Sequence, residues 1–271
     1  MPGTLYLVAT PIGNLEDITL RALRVLREAD VIACEDTRQT GKLLAHFDIK
    51  TPTVSYHEHN EAERTKELLG RLDAGAQVAL VSDAGTPLIS DPGYRLVTAA
   101  IAAGIPVIPV PGASAVLAGL SAAGLPTDAF RFCGFLPVKT TQRRKILEQL
   151  RGETCTLIFY EAPHRILDAL ADISAVYGDR PVVVARELTK FYEEFLRGTA
   201  DQVHTQLAAR PSVKGEITLL IGKGAPPPAT ISVEEAVREL EANGVPRMDA
   251  IKQVARERGL SKREVYSKVT G

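Results

Sequence analysis

Five short apolar runs recur through the first 124 residues: Leu5–Ala9, Val31–Cys34, Thr53–Tyr56, Val78–Val81 and Val107–Val110. Each is followed by a polar or turn-forming cluster and then by a stretch with helical spacing of its apolar residues. Runs of four or five residues rich in Val and Ile read as strands. Strands that alternate with helices lie parallel, in a sheet whose two faces are both covered. The expectation is therefore an α/β fold, with residues 1–124 as a parallel N-terminal domain.

The fourth repeat carries the longest loop. Val78–Val81 runs into Ser82-Asp83-Ala84-Gly85-Thr86-Pro87, and Ser90-Asp91-Pro92-Gly93 precedes a helical stretch from Tyr94 to Ala103. In the second cluster, Ser90 or Asp91 is expected to cap that helix, with Pro92 at its first position. A polar loop with a carboxylate directly after a buried strand marks a ligand site, because open α/β sheets bind at the carboxyl ends of their strands.

A second unit begins near Leu125 and extends to 224. Its expected strands are Phe130–Phe135, Thr156–Tyr160, Pro181–Ala185 and Ile217–Ile221, with helices at Thr140–Leu150, Ile166–Tyr177 and Thr199–Ala208. Gly222 to Thr230, with three consecutive prolines, reads as a semi-rigid linker. Beyond it, 231–271 holds three short helical patterns with Ser232 and Ser261 as caps and Gly244 and Gly259 at turns, a helix-turn-helix-like module.

Composition narrows the function classes. A formal net charge of −1 gives no whole-molecule attraction to nucleic acid, so any such binding must come from local patches. Two exist. The 139–151 segment carries Lys139, Arg143, Arg144, Lys145 and Arg151 against Glu148, and Arg247 to Lys268, which includes Arg256, Lys262 and Arg263, has seven basic and three acidic residues. Such patches reward a polyanionic partner through counterion release. Cys34, Cys133 and Cys155 form no CxxC pair, which fits a reducing cytoplasm better than a disulfide framework or zinc ribbon. No signal peptide is expected, since Leu5–Ala9 already reads as a core strand. Leu96 to Thr127 is uncharged, but prolines and glycines divide it into helix end, strand, turn and helix, so no membrane span is expected.

G-x-G-x-x-G after a strand, G-x-x-x-x-G-K-[ST] and G-x-S-x-G are all absent, which removes Rossmann dinucleotide binding, P-loop chemistry and the α/β-hydrolase elbow. His57-Glu58-His59 lacks a further His or Cys pair at supporting spacing, so no metal centre is expected. Glu35-Asp36-Thr37-Arg38 and Arg186-Glu187-Leu188-Thr189-Lys190 place acids and bases at strand ends in both units, where a cleft would gather them.

Thr10-Pro11-Ile12-Gly13-Asn14-Leu15, Glu35-Asp36-Thr37-Arg38, the 82–93 clusters and Pro111-Gly112-Ala113-Ser114 together resemble the tetrapyrrole (precorrin) methylase superfamily. Tyr160-Glu161-Ala162-Pro163-His164-Arg165, Ala185-Arg186-Glu187-Leu188-Thr189-Lys190 and Lys214-Gly215-Glu216 continue the likeness, and more narrowly resemble its ribosomal RNA small subunit methyltransferase I branch. Many corrinoid-ring relatives have Gly-Asp-Pro where this chain has Ser82-Asp83-Ala84, which favours the RNA branch.

The resemblance implies a two-domain α/β enzyme, usually a homodimer, that holds S-adenosylmethionine in the cleft between its domains. It implies methylation of the ribose 2′-oxygen of a cytidine in the decoding region of 16S ribosomal RNA, with the naked RNA or the assembled small subunit as partner. Carried over by position, the cofactor meets Pro11, Asp83, Ala84, Gly85, Thr86, Pro87, Ser114 and Ala115, and from the second domain Tyr160, Leu188, Glu216 and Ile217. On that reading Asp36 or Glu187 takes the hydroxyl proton, and Lys190 or Arg38 steadies the forming oxyanion or a phosphate. Lys139, Arg143, Arg144, Lys145, Arg256, Lys262 and Arg263 are expected to contact RNA.

Overall fold

The structure is a computed structural model that describes residues 2–224 and 231–270. The expected proline linker at Pro226–Pro228 lies outside the described residues. Five strands, β1 (Thr4–Val8), β2 (Val31–Cys34), β3 (Thr53–Ser55), β4 (Gln77–Leu80) and β5 (Val107–Val110), form a fully parallel sheet in the order β3-β2-β4-β1-β5. Alternation within β2 shows why the runs are apolar throughout. Ile32 and Cys34 join a core with Ala22, Val25 and Leu26 of α1 (Leu20–Glu28) and Leu44 of α2 (Thr37–His46). Val31 and Ala33 face the other way, toward Leu68 and Leu72 of α3 (Glu61–Asp73) and Leu96 and Ala100 of α4 (Tyr94–Ala102). Both faces of the sheet are thereby removed from water.

The start of α4 differs from expectation. Its N-cap is Gly93 at φ 137°, with no side-chain cap, and Leu88 and Ser90 are left-handed at φ 72° and 70°. A Cβ at Gly93 would lie 2.8 Å from Leu80 Cδ2, so the chain passes too close to the β4 end for any other residue. The turn therefore belongs to the loop, and Ser90 and Asp91 are not spent on capping.

α5 (Ala115–Ala123), capped by Ser114, leaves the first sheet and packs Val116, Leu120 and Ala123 against Ile158, Val183, Ala185 and Leu220 of the second. That sheet contains β6 (Phe130–Phe135), β7 (Thr156–Glu161), β8 (Pro181–Arg186), β9 (Glu194–Thr199) and β10 (Ile217–Ile221), ordered β6-β7-β10-β8-β9. Only β6 and β7 run parallel; the other pairs are antiparallel. β9, which is not among the strands expected from the sequence, pairs with β8 along all six residues. The opposite face is covered by α6 (Thr140–Gln149), α7 (Ile166–Tyr177) and α8 (Ala200–Ala208).

The last three helices, α9 (Val233–Ala242), α10 (Arg247–Glu257) and α11 (Lys262–Thr270), share a core of Val237, Ala250, Ile251, Val254 and Val265. Ser232 with Glu235, and Ser261 with Glu264, form reciprocal capping boxes at two of them. Among the described residues no helix is long and apolar enough to cross a membrane.

Candidate active site

The loops that leave β1, β2, β4 and β5 are tied to one another at the carboxyl edge of the first sheet. Thr10 and Gly85 exchange backbone hydrogen bonds of 2.9 and 3.0 Å in an isolated antiparallel bridge. The Thr10 hydroxyl donates to Ser82 O at 3.3 Å, and Thr86 Oγ1 donates to Ala113 O at 3.2 Å. Asp83 Oδ1 accepts from the backbone N–H of Asp36 at 3.0 Å. A cavity of about 390 Å³ opens between this edge and the second sheet. That volume is within the usual range for a small-molecule site.

Of the residues expected at a cofactor, Ala84, Gly85, Thr86, Ser114 and Ala115 line the cavity from the first sheet. Tyr160, Leu188, Glu216 and Ile217 line it from the second. Pro11, Asp83 and Pro87 are not among the lining residues, although they belong to the same loops. Gly85 is left-handed at φ 80°, and a Cβ there would lie 3.2 Å from Ile12 Cγ2. Its backbone thus forms part of the wall directly.

The residues expected to act as bases do not line the cavity. Asp36 is the N-cap of α2; its carboxylate accepts from Arg38 N at 2.8 Å, Arg38 Nε at 3.0 Å and Arg38 Nη2 at 2.7 Å. Those hydrogen bonds hold its carboxyl at about 2, so it is a weak proton acceptor. Glu187 Oε1 accepts from Lys190 Nζ at 2.8 Å and from Glu216 N at 3.0 Å. The Lys190 hydrogen bond, foremost, lowers the Glu187 carboxyl. Burial would depress the Lys190 ammonium, but hydrogen bonds to Glu187 and, at 3.0 Å, Glu216 Oε2 raise it. Glu187 and Thr189 are left-handed at φ 53° and 65°, and a Cβ on Gly13 would lie 2.4 Å from Lys190 Cγ. This knot therefore closes the β1 loop against the β8 loop.

Sequence reasoning missed other parts of the wall. Ile12, Ile89, Ser90, Asp91, Phe135, Glu161 and Thr218 also line it. Asp91 is legible as a loop carboxylate, but the local sequence offers either it or Ser90 as a helix cap. Burial, with Glu35 and then Asp83 nearby, pushes its carboxyl up to about 6. Glu161 is buried, and burial raises it too, but its Oε1 accepts from Ala162 N at 2.8 Å and it is ion-paired to Arg165.

The basic residues divide. Lys139, at the N-cap of α6, and Arg144 and Lys145 on that helix are exposed, and Arg256, Lys262 and Arg263 are exposed on the C-terminal helices. Arg143 is not available to RNA: it is 2% exposed, and its Nε donates to Asp172 Oδ2 at 2.6 Å. It sits one turn before the buried Leu147, on the face of α6 turned to α7, and it also donates to Val138 O at 3.1 Å.

Residues 4–204 match the family described as Tetrapyrrole (Corrin/Porphyrin) Methylases. A protein of Halalkalibacterium halodurans named "Ribosomal RNA small subunit methyltransferase I" is 53% identical over 272 residues, covering 98% of this chain and 94% of its own. The chain belongs to the tetrapyrrole methylase family. The fold of the family is the one observed: diphthine synthase superposes with a TM-score of 0.63 at 16% identity, covering 81% of this chain and 90% of its own. Uroporphyrin-III C-methyltransferase from Thermus thermophilus, solved with S-adenosylhomocysteine, gives 0.54 at 22% identity, covering 81% and 97%.

This tetrapyrrole methylase uses S-adenosylmethionine as its cofactor. The donor set fits it. Small residues at Ala84, Gly85, Ser114 and Ala115 leave backbone groups open to a compact polar ligand, and the apolar Ile12, Leu188 and Ile217 suit its less polar surface.

Proposed function

We propose that the protein methylates the ribose 2′-oxygen of a cytidine in the decoding region of 16S ribosomal RNA, in the cytoplasm and as a homodimer. The observation that carries this reading is the end-to-end likeness to the Halalkalibacterium halodurans ribosomal RNA small subunit methyltransferase I, which extends through the C-terminal helices. Ala84–Thr86, Ser114 and Ala115 would hold S-adenosylmethionine from one side, and Tyr160, Leu188, Glu216 and Ile217 from the other. When bound, the cofactor supplies a methyl group on a sulfonium, whose sulfur is a good leaving group toward an attacking oxygen.

The chain's own part is to orient and to exclude water. The Glu187–Lys190–Glu216 knot fixes the β8 loop beside the cavity, and Arg38, its side chain 87% exposed, stands where it could meet a phosphate. Lys139, Arg144, Lys145, Arg256, Lys262 and Arg263 are exposed cations able to follow an RNA backbone.

The test is incubation with methyl-labelled S-adenosylmethionine and small ribosomal subunits from cells lacking the enzyme, followed by digestion to nucleosides. Label in 2′-O-methylcytidine is the expected result. Label in a base-methylated nucleoside, or transfer to a tetrapyrrole and not to RNA, would overturn the assignment.

A further inference from the structure

Asp91 occupies the cavity wall among Ile89 and Ser90 of one loop and faces Tyr160 of β7. The charged groups that bear on it are Glu35, from another strand end after β2, and Asp83, from its own loop after β4, and both are acidic. Ser82 offers it one hydrogen bond, and the Tyr160 hydroxyl is itself pushed up by burial and by Asp91. This setting is the reverse of that around Asp36 and Glu187, each of which is neutralised by a cation in direct contact. It also differs from that of Glu161 and Glu216, the other carboxylates on the wall, which are paired to Arg165 and Lys190.

The backbone holds Asp91 there at a conformational cost. Left-handed Leu88 and Ser90 precede it, and Gly93, wedged against Leu80, follows it. Strained residues persist where the surroundings over-determine them, and they cluster at sites of chemistry. Phe135, 57% exposed, stands on the same wall with its ring 5.7 Å from that of Tyr160. It offers a flat apolar face on which an unstacked base could rest beside the carboxylate.

We propose that Asp91 is the general base that accepts the proton of the acceptor ribose hydroxyl, an assignment that rests on the 2′-O-methylation reading above. In that step the hydroxyl oxygen forms its bond to the methyl carbon as the carbon–sulfur bond breaks. The bonding pair stays on sulfur, and the hydroxyl proton passes to the Asp91 carboxylate, which later releases it to water. A carboxyl pushed up to about 6 suits the task. It is ionised at neutral pH yet holds a proton better than an ordinary carboxylate, and general bases work best near the operating pH.

The experiment compares wild type, Asp91→Asn and Asp91→Glu in single-turnover methylation of small-subunit RNA from pH 5 to 9. Calorimetry of S-adenosylhomocysteine binding and carboxyl ¹³C titration of the ligand-free protein accompany it. In wild type the rate is expected to rise tenfold per pH unit and to level off near pH 6, matching the ¹³C midpoint of Asp91. Asp91→Asn is expected to lose about 10²-fold or more in rate and to lose that pH break. Its S-adenosylhomocysteine affinity is expected to stay within a few-fold of wild type, and Asp91→Glu is expected to recover part of the rate. An Asn variant that keeps its rate or its pH break overturns the proposal. So does one whose S-adenosylhomocysteine affinity falls as far as its rate, which would make Asp91 a cofactor ligand. Failure of the broader reading is distinguishable: wild type itself would then place no label in a 2′-O-methyl nucleoside.

Discussion

At the scale of single residues, the charges of this chain divide by what faces them. Glu194 at the start of β9 receives Arg210 Nη2 at 2.9 Å and also Arg186, and the Arg210 hydrogen bond, foremost, holds its carboxyl at about 2, below the ordinary 4.5. A group depressed in the folded state contributes stability that is fully present above its unfolded value and is lost as pH falls through the folded one. The contribution of Glu194 is therefore expected to fade between about pH 4.5 and 2. Urea midpoints measured across that window should fall less steeply in Glu194→Gln than in wild type, the two curves converging at the acid end. Asp91 is the opposite case, raised by burial first and then by charged neighbours that share its sign. Neither fate is written in the local sequence: Ser90-Asp91-Pro92-Gly93 has the composition of a helix start, and only the left-handed turns at Leu88 and Ser90 send Asp91 to the cavity. In the same way the run Arg143-Arg144-Lys145 does not disclose that Arg143 points inward, because that depends on where α7 lies.

At the scale of elements, the most exposed prediction concerns the α6–α7 contact. Arg143 and Asp172 are 2% and 4% exposed as side chains, and Asp172 Oδ1 also takes Arg144 Nε at 2.6 Å. Removing one partner leaves a buried charge uncompensated, which typically costs about 3–5 kcal/mol, whereas replacing both with apolar groups is often nearly neutral. Arg143→Ala leaves Asp172 with Arg144 alone and is expected to be destabilised by up to that amount, and Arg143→Met with Asp172→Leu by much less. Urea denaturation of the three proteins reads both values, and an exposed RNA-binding role for Arg143 would instead leave stability unchanged. The strands of the first sheet were legible because a doubly covered parallel strand must be apolar on both faces, as β2 is. The partner of α5 was not. Its small residues do not say which sheet they cover: a Cβ at Gly119 would lie 3.1 Å from Thr218 Cγ2, a closeness made by the second sheet and not by the first.

At the scale of the whole molecule, a chain of net charge −1 must concentrate its affinity for a polyanion. Among the C-terminal helices, Arg247 to Lys268 gathers a net charge of +4, seven basic against three acidic residues. Their core is drawn from Val233, Val237, Ala250, Ile251, Val254, Ala255 and Val265, all beyond residue 231, while the two sheets have cores of their own. Deleting 231–271 is thus expected to leave the cavity and S-adenosylhomocysteine binding intact. Its effect should appear in RNA affinity and, more tellingly, in the dependence of that affinity on salt. Each phosphate neutralised adds roughly 0.7–0.9 to the slope of log K against log salt, so losing two to four contacts would flatten the plot by about 1.5–3.5. Binding of small-subunit RNA to full-length and truncated protein between 50 and 200 mM salt measures the difference. A truncation that weakens binding without changing the slope would mean that the helices act through shape or pairing of subunits, and an unchanged affinity would remove them from the RNA interface altogether.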